Sequence, residues 1–198
     1  MRRGTMQEVK DDVTVDEYFK EYVPAMFAEQ LSGATINDMD GTVAKLMFNI
    51  ASDGQKHTYS LIITDAKQLE VVPGPADDAL VTLNMDEATW RDAVTGKLGG
   101  AIDMFTDVNK VANRARFEKL KDIKGALVLD LTKPDGSPAN LDVVFNGSPE
   151  PKAIFRCALD TWVSISSGQV SGVNAFMGGQ LKIEGNMPLA IELSALVG

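Results

Sequence analysis

Cysteine and histidine are nearly missing from this 198-residue chain, which has one of each, Cys157 and His57. A lone cysteine excludes an internal disulfide, and with a lone histidine it leaves no soft-ligand cluster for structural zinc. A reducing compartment is therefore permitted. Positive charge is also short: 19 lysines and arginines against 28 aspartates and glutamates leave a formal net charge of -9. That balance excludes wrapping around nucleic acid, which requires a broad basic surface to displace counterions. No apolar run approaches the about 20 residues of a membrane span. The opening Met1-Arg2-Arg3-Gly4-Thr5 has no apolar segment behind it, and the closing Leu196-Val197-Gly198 is not a Ser-Lys-Leu type address. Neither a secretory nor a peroxisomal signal is expected, and the cytoplasm is the default compartment. Catalytic motifs are missing as well: the chain holds no Gly-x-Ser-x-Gly elbow, Walker loop, dinucleotide fingerprint or His-Glu-x-x-His. Asn37 to Gly41 lacks the distal glutamate of a calcium loop and reads as a turn. No cofactor, metal or catalytic residue is assigned.

What is present describes a folded domain. Hydrophobic residues make up 44% of the chain, ordinary for a globular protein of a size that removes roughly 70% of its unfolded surface from water. Thr14-Val15-Asp16-Glu17 has capping-box form, and Val15, Tyr18, Phe19, Tyr22, Val23, Met26 and Phe27 recur at helical spacing after it. Pro24 is expected to kink or divide that helix. Alternating apolar residues then predict a hairpin, Leu46, Phe48 and Ile50 turning at Ser52-Asp53-Gly54 into Tyr59, Leu61 and Ile63. Two further strands follow, Leu69 to Val72 and Leu80 to Met85. Asp86 is placed to cap a helix through Trp90 that stops at Gly96. A short apolar helix is expected through Ile102, Met104 and Phe105, and another from Asp107, carrying Val108, Val111 and Ala115 inward and ending before Gly125. A second hairpin turns at Pro134-Asp135-Gly136.

An offset of 72 residues relates Trp90 to Trp162, Gly96 to Gly168 and Gly100 to Gly172. The same shift lays Leu69, Val71 and Val72 on Leu141, Val143 and Val144, and sets Met104-Phe105 against Phe176-Met177. Preserved order predicts two related halves, residues 14–106 and 107–198, behind a flexible tail of residues 1–13.

The segment from Phe176-Met177-Gly178-Gly179 through Gln180-Leu181-Lys182-Ile183-Glu184-Gly185 to Asn186-Met187-Pro188-Leu189-Ala190 resembles the closing signature of the sterol carrier protein type 2 family. The first half is similar to the family's opening portion, through Thr82-Leu83-Asn84-Met85-Asp86 and Thr95-Gly96-Lys97-Leu98. The stretch Asp107 to Lys124 departs from the family pattern, and the second half is one strand short, so the architecture is either two related halves or one family domain carrying a large central insertion. The resemblance implies an α+β fold with an antiparallel-rich sheet covered by helices. It also implies a lipid-carrying role in which the final helix helps to cover the ligand.

Candidate ligand contacts are Met104, Phe105, Phe176, Met177, Leu181, Ile183, Met187, Leu189, Ala190 and Leu193, with Trp90 and Trp162 as either cavity lining or structural anchors. Methionine suits such a wall because its unbranched thioether adapts to irregular apolar shapes. The expected partner is a hydrophobic small molecule: a sterol, a fatty acid or acyl-CoA, or an isoprenoid. Lys110, Arg114, Arg116, Lys119 and Lys121 form a basic stretch that could touch anionic headgroups. Two other readings stay open. One is an interaction module, including a homodimer, using the same apolar groove. The other is a small-lipid isomerase or hydratase, with Asp77, Asp78 and Asp103 as conceivable acids.

Overall fold

The computed structural model describes residues 9–98, 107, 108 and 112–197. Thr14 opens the first helical segment by accepting the Glu17 N–H at 3.1 Å on its hydroxyl oxygen. That segment runs as helix α1 (Val15–Glu17), a π-helical turn (Tyr18–Tyr22) and helix α2 (Val23–Gly33), with Pro24 in the first turn of α2. Proline has no N–H for the preceding turn, and the helix widens just ahead of it. Val15, Tyr18, Phe19, Tyr22 and Val23 are buried, while Met26 and Phe27 pack partly against the core. The expected tail is anchored at its end, where Val13 is buried and Arg91 donates to the Asp11 and Val13 carbonyls at 2.8 and 2.9 Å.

Eight strands form one sheet: β1 (Val43–Ser52), β2 (Gln55–Thr64), β3 (Gln68–Pro73), β4 (Val81–Asp86), β5 (Gly125–Thr132), β6 (Pro138–Phe145), β7 (Lys152–Ala158) and β8 (Leu181–Gly185). Their order is β3-β2-β1-β4-β6-β5-β7-β8. Only β1 with β4 and β5 with β7 run parallel. The first hairpin turns in two residues, Asp53 and Gly54, both at positive φ, as a tight turn between right-twisted strands requires. His57, expected beside a strand, lies within β2 and is half-buried. Helices α3 (Glu87–Val94), α4 (Arg114–Asp122), α5 (Leu159–Ser166), α6 (Gly172–Met177) and α7 (Met187–Val197) complete the described chain.

The alternation of each strand sends one set of side chains into the core and the other toward water. Leu127, Leu129 and Leu131 of β5 and Ala153, Phe155 and Cys157 of β7 are buried. On the opposite face Arg156 reaches Asp130 at 2.7 Å and Glu184 at 3.0 Å.

Both halves contain a hairpin, a strand parallel to the hairpin's first member, and a helix with a buried tryptophan. Trp90 follows β4 and Trp162 follows β7 in corresponding places. The offset of 72 fails in the hairpins. It equates β3 with β6, yet β3 lies at the sheet edge while β6 sits between β4 and β5. The strand that matches β6 is β2, because the parallel registers, Leu46 with Val81 and Leu127 with Ala153, enclose segments of different length. The seam between halves pairs Val81 with Phe145 and Leu83 with Val143. Val108, expected to face inward in a helix from Asp107, is helical and buried and accepts the Ala112 N–H at 2.7 Å; a separate helix, α4, starts at Arg114, where the Asn113 side chain accepts the Arg116 N–H at 3.0 Å. Phe117 faces inward in it and Ala115 is exposed; Val111 lies outside the described residues.

Candidate functional site

The second half builds an aliphatic wall from its last strand and helix. Asn186 joins the two. Its N–H donates to the Lys152 carbonyl at 2.7 Å, and its side-chain oxygen accepts the Leu189 N–H at 2.9 Å, capping α7. Leu189, Ala190 and Leu193 recur at helical spacing on one side of α7 and are buried. They lie over a sheet face carrying Leu181 (buried) and Ile183 (half-buried) of β8, paired with Cys157 and Phe155 of β7. Trp162 is fully buried, with its ring 6.5 Å from that of Phe155.

Gly125 determines how closely α7 approaches the sheet. At φ +130°, a β-carbon there would lie 2.6 Å from a Leu189 methyl and 2.5 Å from the Pro151 carbonyl oxygen. The sequence shows Gly125 only as the end of a helix. Its role as a seat for Leu189 depends on a contact between residues 64 positions apart.

Three expected contacts point elsewhere: Phe176, Met177 and Met187 are 43%, 80% and 41% exposed. For Phe176 and Met177 the reason is local, since α6 is a six-residue helix, capped by Ser171 at 3.1 Å, that buries only Ala175. Met104 and Phe105 lie outside the described residues. Helical spacing identifies an apolar position without saying which side of a short helix meets the sheet.

The corresponding space in the first half is filled with rings. Phe19 stacks on Tyr59 at 4.6 Å and meets Phe48 at 5.2 Å, while Tyr18 touches Phe19 at 5.3 Å and Trp90 at 5.6 Å. Trp90 lies under the Arg91 guanidinium at 5.4 Å, and its buried Nε1 makes no hydrogen bond. These packed rings place Trp90 among core residues as an anchor.

Cys157 is buried, and burial pushes its thiol up to about 11, which keeps it protonated. Asp77 and Asp78 are exposed in a loop, and Asp103 lies outside the described residues. Among the described residues no three metal-liganding side chains come together. In α4, Glu118 pairs with both Arg114 at 3.0 Å and Lys121 at 2.9 Å. Lys119 is exposed, whereas burial lowers the Arg116 pKa. Lys110 lies outside the described residues.

Residues 104–198 match the SCP-2 sterol transfer family. The likeness read from Phe176 to Ala190 therefore extends across the second half. A relative from Dictyostelium discoideum, peroxisomal multifunctional enzyme A, is 31% identical over 140 residues, covering 62% of this chain and 32% of its own length. Hydroxysteroid dehydrogenase-like protein 2 of Mus musculus is 36% identical over 84 residues, covering 41% of this chain and 16% of its own. The chain thus spans about a third or less of these relatives. Among solved structures, sterol carrier protein 2 from Yarrowia lipolytica in its apo form is 20% identical, with a TM-score of 0.37, covering 51% of this chain and 86% of that one. Among the described residues no helix is long and apolar enough to cross a membrane.

Proposed function

We propose that the protein is a lipid carrier whose second half holds an apolar ligand of the sterol, fatty acyl or isoprenoid class between the inner face of β7 and β8 and the helices over it. The observation that carries this reading is the match of residues 104–198 to a sterol transfer family, on a segment whose last strand and helix turn aliphatic residues inward. Leu181, Ile183, Leu189, Ala190 and Leu193 would form the wall, with Trp162 behind it. Burying apolar area contributes about 25 cal/mol per Å², so a few hundred Å² of ligand supplies several kcal/mol without directional bonds. Selectivity among lipids is then loose. In this reading the two halves are related units, and the carrier works in the cytoplasm, where the lone cysteine stays reduced.

A second reading is an interaction module serving an enzyme. It is favoured by relatives named as a multifunctional enzyme and a dehydrogenase-like protein, of which this chain covers only part. The experiment that tests carriage is titration of the full chain with NBD-stearate, beside native mass spectrometry of organic extracts. Ile183→Trp fills the inner face from an edge strand and should weaken NBD-stearate uptake at least about fivefold, with an unchanged circular dichroism spectrum. Equal uptake by variant and parent removes the proposed wall.

A further inference from the structure

Five large apolar side chains stand exposed on the last two helices: Val173 (62%), Phe176, Met177, Met187 and Ile191 (65%). Val43 is the sixth such residue among those described. Both helices pack against β8, so the five lie on elements that border the same edge strand of the sheet. The segments that carry them are also free of charged residues. Residues 161–181 and 185–191 contain no aspartate, glutamate, lysine or arginine, in a chain where such residues make up 24%. The charges of β8 point the other way, with Glu184 tied to Arg156 on the opposite face. Asp160 and Glu192 mark the border.

We infer that this uncharged cap on α6 and α7 is the surface that docks on a lipid bilayer, and that the bilayer it suits is zwitterionic rather than anionic. An apolar cap with no charge offers nothing to an ionic partner, while it gains by burial at the headgroup and acyl boundary. The rest of the molecule decides the lipid type. A net charge of -9 is repelled by the negative potential of an anionic leaflet. The basic helix α4 does little to reverse this, since Glu118 already engages Arg114 and Lys121. A second copy of the chain fits less well: five side chains, none larger than phenylalanine, offer less than the about 800 Å² per partner that a stable dimer buries. The inference rests on the carrier reading only in giving the bilayer contact a purpose, namely loading and release.

The test is co-flotation of the full chain with phosphatidylcholine vesicles, and with the same vesicles doped with phosphatidylserine. The wild type should float with phosphatidylcholine. Phe176→Asp and Met177→Asp should each lower the bound fraction at least about tenfold. Added phosphatidylserine should weaken binding, and salt should relieve that effect. Lys119→Glu should leave binding to phosphatidylcholine unchanged. Three outcomes overturn the inference: no flotation of the wild type, binding that grows with phosphatidylserine and is lost in Lys119→Glu, or a dimer in sedimentation that Met177→Asp dissolves while vesicles bind neither form. NBD-stearate uptake without vesicles separates the two ideas. Uptake retained in a chain that does not float ends the docking surface alone, and flotation without uptake ends the carrier reading alone.

Discussion

The two halves cover their shares of one sheet with different materials. In the first, Tyr18, Phe19, Phe48, Tyr59 and Trp90 fill the space between helix and sheet with rings in contact. In the second, Leu181, Leu189, Ala190 and Leu193 do that work, with one aromatic pair, Phe155 and Trp162, among the described residues. Aromatic rings have few rotamers and specific mutual geometry, so a cluster of them sets a fixed shape. Aliphatic side chains of modest size repack around a changed neighbour more readily. The contrast suggests a division of labour, with a rigid unit bracing an adaptable one.

The largest test of that contrast is Phe19→Ala. Removing the ring at the centre of the cluster should cost about 3–5 kcal/mol, read as a lower urea midpoint. NBD-stearate should bind with unchanged stoichiometry wherever the variant stays folded. A second equivalent of probe entering the space left by Phe19 would show that both halves can carry ligand, and the comparison would fail.

Gly125→Ala sharpens the comparison from the other side. The added methyl meets both the Pro151 carbonyl and Leu189 at a positive φ, so about 1–3 kcal/mol of destabilisation is expected, together with displacement of α7 and weaker NBD-stearate uptake. The control is Gly136→Ala, where nothing lies within 4 Å. There only the backbone penalty remains, about 1 kcal/mol, and uptake is preserved. Equal effects of the two substitutions on uptake would remove Gly125 from its place under the wall.

The smallest expected effect concerns acid and alkali. A hydrogen bond from Lys20, then one from Tyr59, holds the Asp16 carboxyl below its usual range; Ser52, then Arg91, does the same for Glu87. Carboxylates lowered in this way contribute stability above about pH 4, and the contribution is lost as pH falls through their folded values. Burial, then the Asp16 hydrogen bond, pushes the Tyr59 phenol up to about 12. Its contribution is complete below the ordinary phenol value of about 10 and is lost as pH rises toward that raised one. These groups tie the first helical segment and α3 to β1 and β2. Glu87→Gln should therefore flatten the acid limb of stability against pH, measured by urea midpoints, and an unaltered limb would show that this network does not govern it.

Much of the local structure was legible in the sequence. Thr14, Asp86 and Asn186 mark helix starts that the structure caps as expected, because capping depends on a side chain reaching only three residues ahead. The Asp53-Gly54 and Asp135-Gly136 turns are equally local. The sheet order was not legible. Alternation in β3 and β6 is the same whether a strand lies at an edge or in the middle, and the offset of 72 paired two strands that occupy different places. Burial within the candidate wall was readable in part. Leu181, Leu189, Ala190 and Leu193 face inward as their spacing suggested, whereas the outward turn of Phe176 and Met177 depends on which single residue of α6, Ala175, touches the sheet.

The junction of β4 with β6 means that the boundaries of the matched family segment and those of the folding unit do not coincide. Residues 104–198 hold β6 but not β4. A fragment cut at that border would present the hydrogen-bonding edge of β6, from Asp142 to Phe145, to solvent, where another chain's edge could take the vacant position. The matched segment thus relies on its neighbour to complete its sheet, and the two halves should be inherited, expressed and degraded as one piece.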